Sequence, residues 1–258
     1  MKEENLKQYL FLGDKNAIVI SLDTFLYKCK RKRERNFKPF FVCAVIPSDS
    51  SILDHAADYI QILASISKHH HPVIRGKKTH LQEGELFPFG YHSDRTSSTY
   101  SRYVRTKYSL QNHIEWETFS KGMENICSHY STMMKYYFPM LTSIYYGIQK
   151  EYNSPYIGTS YTSTIFASYN YSSAIHVDKR DATYAFGVWF DFGDGVNANS
   201  TFCFPEYRVA LKLQHGLCAL WNSEQALHCT TKSSPHTNLR IGTVIQMNKT
   251  INTRAKLL

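Results

Sequence analysis

The stretch Thr162-Ser163-Thr164-Ile165-Phe166-Ala167-Ser168-Tyr169-Asn170-Tyr171-Ser172-Ser173-Ala174-Ile175-His176-Val177-Asp178 decides the fold. Its first ten residues are rich in β-branched and aromatic side chains and predict a strand. Its end places a histidine and an aspartate at i and i+2, which on a strand point the same way. A second histidine, His228, follows fifty residues after Asp178, and Arg240 twelve residues after that. Two imidazoles and one carboxylate on one face suit a mononuclear non-heme iron(II) centre. Neutral imidazole is a good iron ligand, and three protein ligands leave positions open for co-substrate and O2. An arginine behind the second histidine can pair bidentately with a carboxylate of a bound 2-oxo acid. The bland alternative for His176 and Asp178 is a hydrogen-bonded pair at a strand end.

His-x-Asp by itself is weak, because it occurs by chance. This chain has a second instance, His92-Ser93-Asp94. Context separates the two. His92 leads into the polar run Asp94-Arg95-Thr96-Ser97-Ser98-Thr99, and no arginine occurs between Arg105 and Arg180 to follow a later partner histidine.

Beyond Asp178 the pattern stays strand-like. Tyr184-Ala185-Phe186-Gly187-Val188-Trp189-Phe190, Phe202-Cys203-Phe204, Val209-Ala210-Leu211-Lys212-Leu213, Leu217-Cys218-Ala219-Leu220-Trp221 and Arg240-Ile241-Gly242-Thr243-Val244-Ile245 are short apolar or alternating runs. Turn signals separate them, among them Gly193-Asp194-Gly195 and His215-Gly216. Such spacing argues a barrel or sandwich, with the triad positions on opposite walls of one barrel.

Upstream, the chain divides into a mixed region over 1–110, two helices over 111–153, and the strand-rich region over 155–250. Within the first, 17–22 and 40–46 predict strands and 51–67 a helix, while 68–110 reads as a long polar, aromatic-rich loop of the kind that is functional or flexible. In the second, Glu115, Trp116, Phe119, Met123, Ile126 and Cys127 form one stripe, continued by Met133, Met134, Tyr137, Leu141, Ile144 and Tyr145, with Pro139 as a break or kink. That stripe reads as a packing face against a sheet. Residues 1–258 are expected to form a single domain.

The chain carries 30 Lys and Arg against 21 Asp and Glu, which favours an anionic partner such as nucleic acid. No run is long and apolar enough to cross a membrane, and Met1-Lys2-Glu3-Glu4-Asn5 lacks a signal peptide's apolar core. Six scattered cysteines (29, 43, 127, 203, 218 and 229), with no Cys-x-x-Cys, fit buried free thiols in a reducing compartment. Lys28-Cys29-Lys30-Arg31-Lys32-Arg33-Glu34-Arg35 is either a nuclear-import or phosphate-binding strip or a solvated hairpin tip. Lys68-His69-His70-His71 with Arg75, Lys77, Lys78 and His80 is a second basic cluster, read as a phosphate contact or as nothing. Tyr100, Arg102, Tyr103, Arg105, Lys107 and Tyr108 interleave aromatics with cations, as base stacking needs and as plain surfaces also do.

The chain resembles the iron(II)/2-oxoglutarate dioxygenases of the TET/JBP group, especially its fungal, transposon-associated members. The residues that carry the likeness are Asn170 through Asp178, Gly187-Val188-Trp189, Phe202-Cys203-Phe204-Pro205-Glu206-Tyr207, Val209 through Leu213, and His228-Cys229-Thr230-Thr231. Arg75-Gly76-Lys77 and Phe89-Gly90-Tyr91 look like further family elements. The likeness is strong over about 155–250 and faint before about 75.

The resemblance implies an α+β fold with a double-stranded β-helix (jelly-roll) core and supporting helices. It implies iron(II) and 2-oxoglutarate as cofactors, with His176, Asp178 and His228 as metal ligands and Arg240 as the salt-bridge partner of 2-oxoglutarate. It places base contacts at Asp181, a carboxylate able to accept from an exocyclic amine, and at Asn248, where the family often has histidine; Asn donates and accepts at once. A further departure is Asn197-Ala198-Asn199-Ser200-Thr201, where the family has a Gly-Gly pair. AlkB-type repair enzymes carry a second arginine six residues after the first; position 246 here is Gln. The implied activity is oxidation of a methylated base in DNA, 5-methylcytosine or N6-methyladenine, flipped out of the duplex. O2 is the co-substrate, and the protein is expected to be a monomer, nuclear or otherwise intracellular. The alternatives are a dioxygenase acting on RNA or a protein side chain, and a catalytically silent nucleic-acid-binding relative.

Overall fold

The computed structural model describes residues 10–12, 43–46, 84–93, 103–105, 114–151, 154–179, 182, 184–191, 200–231 and 240–247. Seven strands form a large sheet in the order β2 (Cys43–Ile46), β9 (Leu217–Asn222), β6 (Tyr184–Asp191), β11 (Arg240–Gln246), β5 (Thr164–Tyr169), β3 (Glu85–Ser93), β4 (Tyr103–Arg105). Four form a small sheet, β1 (Leu10–Leu12), β8 (Val209–Lys212), β7 (Thr201–Phe204), β10 (Cys229–Thr230). Apart from the parallel pair β1–β8, these pairings are antiparallel.

The chain alternates between the sheets. After β5 in the large sheet, residues 173–176 run beside β10 in the small one, through Ser173 N–H to Thr230 O (3.1 Å) and a bridge between His176 and His228. β6 returns to the large sheet, β7 and β8 lie in the small, β9 in the large, β10 in the small and β11 in the large. This interlacing is the double-stranded β-helix, as the resemblance implies. It brings residues fifty apart in sequence face to face.

The period of two along each strand sorts side chains to opposite faces. From the large sheet, Phe87, Phe89, Ile165, Ala167, Phe186, Val188, Phe190, Leu220, Ile241 and Ile245 face one core. The alternate positions Ala185, Trp189, Leu217, Ala219 and Trp221 join Phe202, Phe204, Val209 and Leu211 of the small sheet in a second core, between the sheets. Gly187 and Gly242 let two tryptophan rings lie against the sheet: a Cβ on Gly187 would meet Trp221 at 3.1 Å, and one on Gly242 would meet Trp189 Nε1 at 2.9 Å.

The first core is closed by the helices α1 (Ile114–Tyr137) and α2 (Pro139–Glu151). Met123, Ile126, Cys127, Tyr130, Met133 and Met134 recur at helical spacing and are buried against the sheet. Tyr130 ties the layers together, its hydroxyl 2.5 Å from Thr243 Oγ1 on β11 and its ring edge-on to Phe186. Pro139 has no N–H to continue α1 and opens α2 at a position where that N–H is not needed. Tyr145 of α2 donates to Tyr184 O (3.1 Å) and accepts from Tyr184 N–H (2.7 Å), fixing the start of β6.

Three expectations are corrected. Residues 68–110, read as loop, contain β3 and β4. Pro88 and Gly90 hid β3, yet among the described residues 85–90 pair with β5 alone, and the missing N–H of Pro88 points away from β5. Tyr137 and Ile144 are exposed rather than on the packing stripe, whereas Leu141 and Tyr145 pack against the core as expected, joined by Phe138 and Ile148. The segment carrying His176 and Asp178 forms one bridge and is not a regular strand. Cys43, Cys127, Cys203, Cys218 and Cys229 are free and buried, as expected. The strand over 17–22, the helix over 51–67, the basic run Lys28 to Arg35, the cluster Lys68 to His80 and Cys29 lie outside the described residues.

Tyr130→Phe is expected to lower stability by about 1–2 kcal/mol, the usual scale for a buried hydrogen bond lost with its partner left in place. Equilibrium urea unfolding checks it: the midpoint should fall with an unchanged slope.

Candidate metal centre

His176 and His228 face each other across a two-hydrogen-bond bridge. His176 N–H donates to His228 O (3.0 Å) and His228 N–H to His176 O (2.9 Å). Each ring is then oriented by the same device. His176 Nδ1 is 2.8 Å from Ala174 O and His228 Nδ1 is 2.9 Å from Ala226 O. A carbonyl only accepts, so Nδ1 carries the proton in both rings and each Nε2 keeps its lone pair for a metal.

Asp178 is held by its backbone, whose N–H donates to Ser223 O (2.8 Å) at the end of β9. Its Oδ1 lies 3.7 Å from His176 Nε2 and its Oδ2 3.4 Å from His228 Nε2. One ligand atom from each of the three residues lies within 4.8 Å of the others, and this is the metal-competent cluster among the described residues. Ligand atoms about 2.1 Å from one ion, at right angles, stand roughly 3 Å apart. The 3.7 and 3.4 Å separations exceed that by less than an ångström, and the other separations in the set lie within 4.8 Å. The donor set of two imidazole nitrogens and a carboxylate therefore fits iron(II).

The two sides of this cluster differ. The His228 side chain is 3% exposed, against an aromatic wall of Phe202 (centroids 5.5 Å) and Trp221 (6.1 Å). The His176 side chain is 42% exposed, and its neighbour Ile175 is also exposed. One face of the centre is thus dry protein and the other opens outward.

Arg240 begins β11 directly opposite Asp191 of β6, and is buried. Asn170, in the left-handed region at φ 44, clasps its backbone: Asn170 N–H donates to Arg240 O and Arg240 N–H to Asn170 Oδ1, both at 2.8 Å. Arg240 Nη2 donates to Tyr171 O at 2.5 Å. Nη1 is buried and has no hydrogen-bond partner among the described residues. Burial pushes the guanidinium down to about 10, partly offset by Asp191, so it stays cationic at neutral pH. A buried cation with an unused N–H fits a carboxylate such as the distal one of 2-oxoglutarate.

The structure thus brings together His176, Asp178 and His228, and anchors Arg240 to the start of the segment whose end carries two of them. Asp181 and Asn248 lie outside the described residues, as does Asp94 of the second His-x-Asp match. Three contributors were not anticipated. Asn170 and Tyr171 were noted only as part of a matching stretch, and nothing in the sequence marks Asn170 as a left-handed clasp. Gln246 was noted only as not being arginine. Its Nε2 lies 3.5 Å from Asp178 Oδ2, and its signal was parity, since it shares a strand face with Arg240 six residues earlier.

A family model described as the Tet-like 2OG-Fe(II) oxygenase superfamily matches residues 54–233. That range spans more than half of the chain and includes the triad; it begins within the stretch before about 75 where the residue-level likeness is faint, and stops before Arg240. No curated protein matches the sequence. Among solved structures, the fold is similar to that of NgTET1 in complex with 5mC DNA, with a TM-score of 0.58 at 12% identity over 96% of this chain and 85% of that one. A prolyl hydroxylase from Trichoplax adhaerens, in complex with a hypoxia inducible factor peptide fragment, aligns with a TM-score of 0.41 at 9% identity, over 83% of this chain and 86% of that one. On the family match, the chain belongs to the Tet-like 2OG-Fe(II) oxygenase superfamily and is an iron(II)- and 2-oxoglutarate-dependent dioxygenase.

Proposed function

We propose that this dioxygenase oxidises a methylated base in DNA, with 5-methylcytosine the first substrate to test. The observation that carries the reading is the one-sided exposure of the metal cluster, with His176 at the surface and His228 in the interior. A base swung out of a duplex needs such an opening, because a methyl group inside a stacked helix cannot reach a recessed centre. The excess of 30 basic over 21 acidic residues supports an anionic polymer as partner. The similarity in fold to NgTET1, whose complex contains 5mC DNA, agrees with this choice.

In this reading His176, Asp178 and His228 hold iron(II), and Arg240 pairs with the distal carboxylate of 2-oxoglutarate. The bound metal, 2-oxoglutarate and O2 supply an oxidant strong enough to hydroxylate a methyl group. The protein contributes orientation and exclusion of side reactions. The carbonyls of Ala174 and Ala226 hold the Nδ1 proton of each neutral ring and so turn Nε2 toward the metal. Phe202 and Trp221 keep water from the His228 side. Asn170 and Tyr171 fix Arg240 before the co-substrate arrives, so little ordering remains at binding. Asp181 is assigned to accept from the exocyclic amine of the base, and Asn248 to a second contact with its edge.

The deciding measurement is mass spectrometry of nucleosides after incubation with iron(II), 2-oxoglutarate and methylated DNA, with methylated RNA alongside. Hydroxymethyl product in DNA is expected; product in RNA alone would replace DNA as the substrate. Arg240→Ala is expected to raise the 2-oxoglutarate requirement at least about 30-fold, the scale of about 2 kcal/mol or more for breaking a buried charged pair. An unchanged requirement would mean that another residue holds the acid. Asp181→Ala should lose oxidation of methylated DNA but retain metal binding and slow uncoupled succinate formation. DNA oxidation at the parental rate would remove Asp181 from base contact.

A further inference from the structure

Asp178 has two carboxylate oxygens, and a metal that took both would lose one of the positions an oxygenase needs open. Gln246 bears on which oxygen is taken. Its side-chain amide reaches Asp178, with Nε2 3.5 Å from Oδ2, the oxygen that faces buried His228. An amide N–H donated to Oδ2 draws charge from that oxygen and leaves Oδ1, on the His176 side, as the better donor to a metal.

The placement of Gln246 is built into the sheet. Gln246 N–H donates to Thr162 Oγ1 (3.1 Å), and the same hydroxyl donates back to Gln246 O. Thr162 is fully buried, and its single hydroxyl proton is shared between Gln246 O and Thr164 O, the latter at 2.9 Å. Gln246 itself is 9% exposed. A long side chain with its backbone pinned at both polar atoms loses little freedom in reaching Asp178. Packing alone would be served as well by methionine. An amide aimed at a ligand carboxylate points to orientation of that ligand.

We infer that Gln246 is a positioning residue that holds Asp178 to one-oxygen coordination and pre-forms the metal site. This rests on His176, Asp178 and His228 being the ligands. Groups bonded to metal ligands in this way change metal affinity by about 10–100-fold when removed. Gln246→Met keeps the length and volume of the side chain and removes the donor. Gln246→Ala serves as the second variant if the methionine form does not fold.

Mn(II) is the probe, titrated into protein without 2-oxoglutarate, with free ion counted by its paramagnetic resonance signal. Thermal unfolding of the metal-free proteins is run in parallel. The expected result is that Gln246→Met binds Mn(II) at least about tenfold more weakly than the parent, with a metal-free melting temperature close to the parent's. His228→Ala separates the two layers of the argument. If it binds as the parent does, or if the parent does not bind, the ligand assignment fails and this inference with it. If His228→Ala loses the metal while Gln246→Met binds as tightly as the parent, the ligands stand and the positioning role is overturned. A lower melting temperature with unchanged affinity overturns it too, since Gln246 would then be a packing residue.

Discussion

The backbone bridge between His176 and His228 is the constraint on which the rest of the structure depends. Two hydrogen bonds set the histidines opposite each other, and the carbonyl two residues before each one sets its ring. An imidazole is a useful ligand only with the correct nitrogen deprotonated and aimed. Here the aim of each ring, and which nitrogen of the neutral imidazole is left for a metal, follow from main-chain geometry. The device does not depend on which side chains occupy positions 174 and 226, because it uses their carbonyl oxygens. It depends on the segment around His176 lying beside β10, and the alternation of strands between the two sheets secures that.

The three layers divide the work. The helices and the outer face of the large sheet bury Met123, Tyr130, Phe186, Phe190 and their neighbours, each large apolar side chain contributing roughly 1.5–3 kcal/mol. The space between the sheets holds Trp189, Phe202 and Trp221, and this second core meets the centre through the ring of His228. Arg240 is the exception, a cation placed in the interior. A buried charge is costly unless paired. Asp191 and Tyr171 O offset part of that cost and Nη1 is left over. An incomplete pairing of this kind disfavours the empty protein relative to one with an anion bound.

The sequence made much of the strand order's raw material legible, and the reason is local. β5, β6, β8, β9 and β11 are bounded by turn residues and built from β-branched, aromatic or alternating residues, so propensity and burial agree. β3 escaped because Pro88 and Gly90 speak against a strand, and the pairing of residues 85–90 with β5 through the alternate positions leaves Pro88 without need of its N–H. The break at Pro139 was legible because a proline lacks the N–H that would continue the first helix, whereas the exposure of Tyr137 and Ile144 was not, since they share the helical spacing of the buried positions. Of the centre, the ligand types and spacing could be read from residues alone, since chemistry restricts what binds iron. Asn170 and Gln246 could not, because their roles rest on a left-handed backbone angle and on the reach of a side chain across a sheet.

The segment from Asn170 to Asp178 joins these observations. Its first residue clasps Arg240, its second accepts from the Arg240 guanidinium, its fourth is paired with Thr230, and its seventh and ninth are candidate metal ligands. Ser173 anchors the middle twice, its N–H donating to Thr230 O and its hydroxyl accepting from Thr230 N–H at 3.0 Å. Such a segment has few independent degrees of freedom. A displacement at the clasp is carried to His176 unless the bonds at Thr230 absorb it. The co-substrate anchor and the metal ligands are therefore coupled through nine residues of continuous chain, which accounts for an irregular strand here: a regular one would pair more residues but would not leave Asn170 in the turn that reaches back to Arg240.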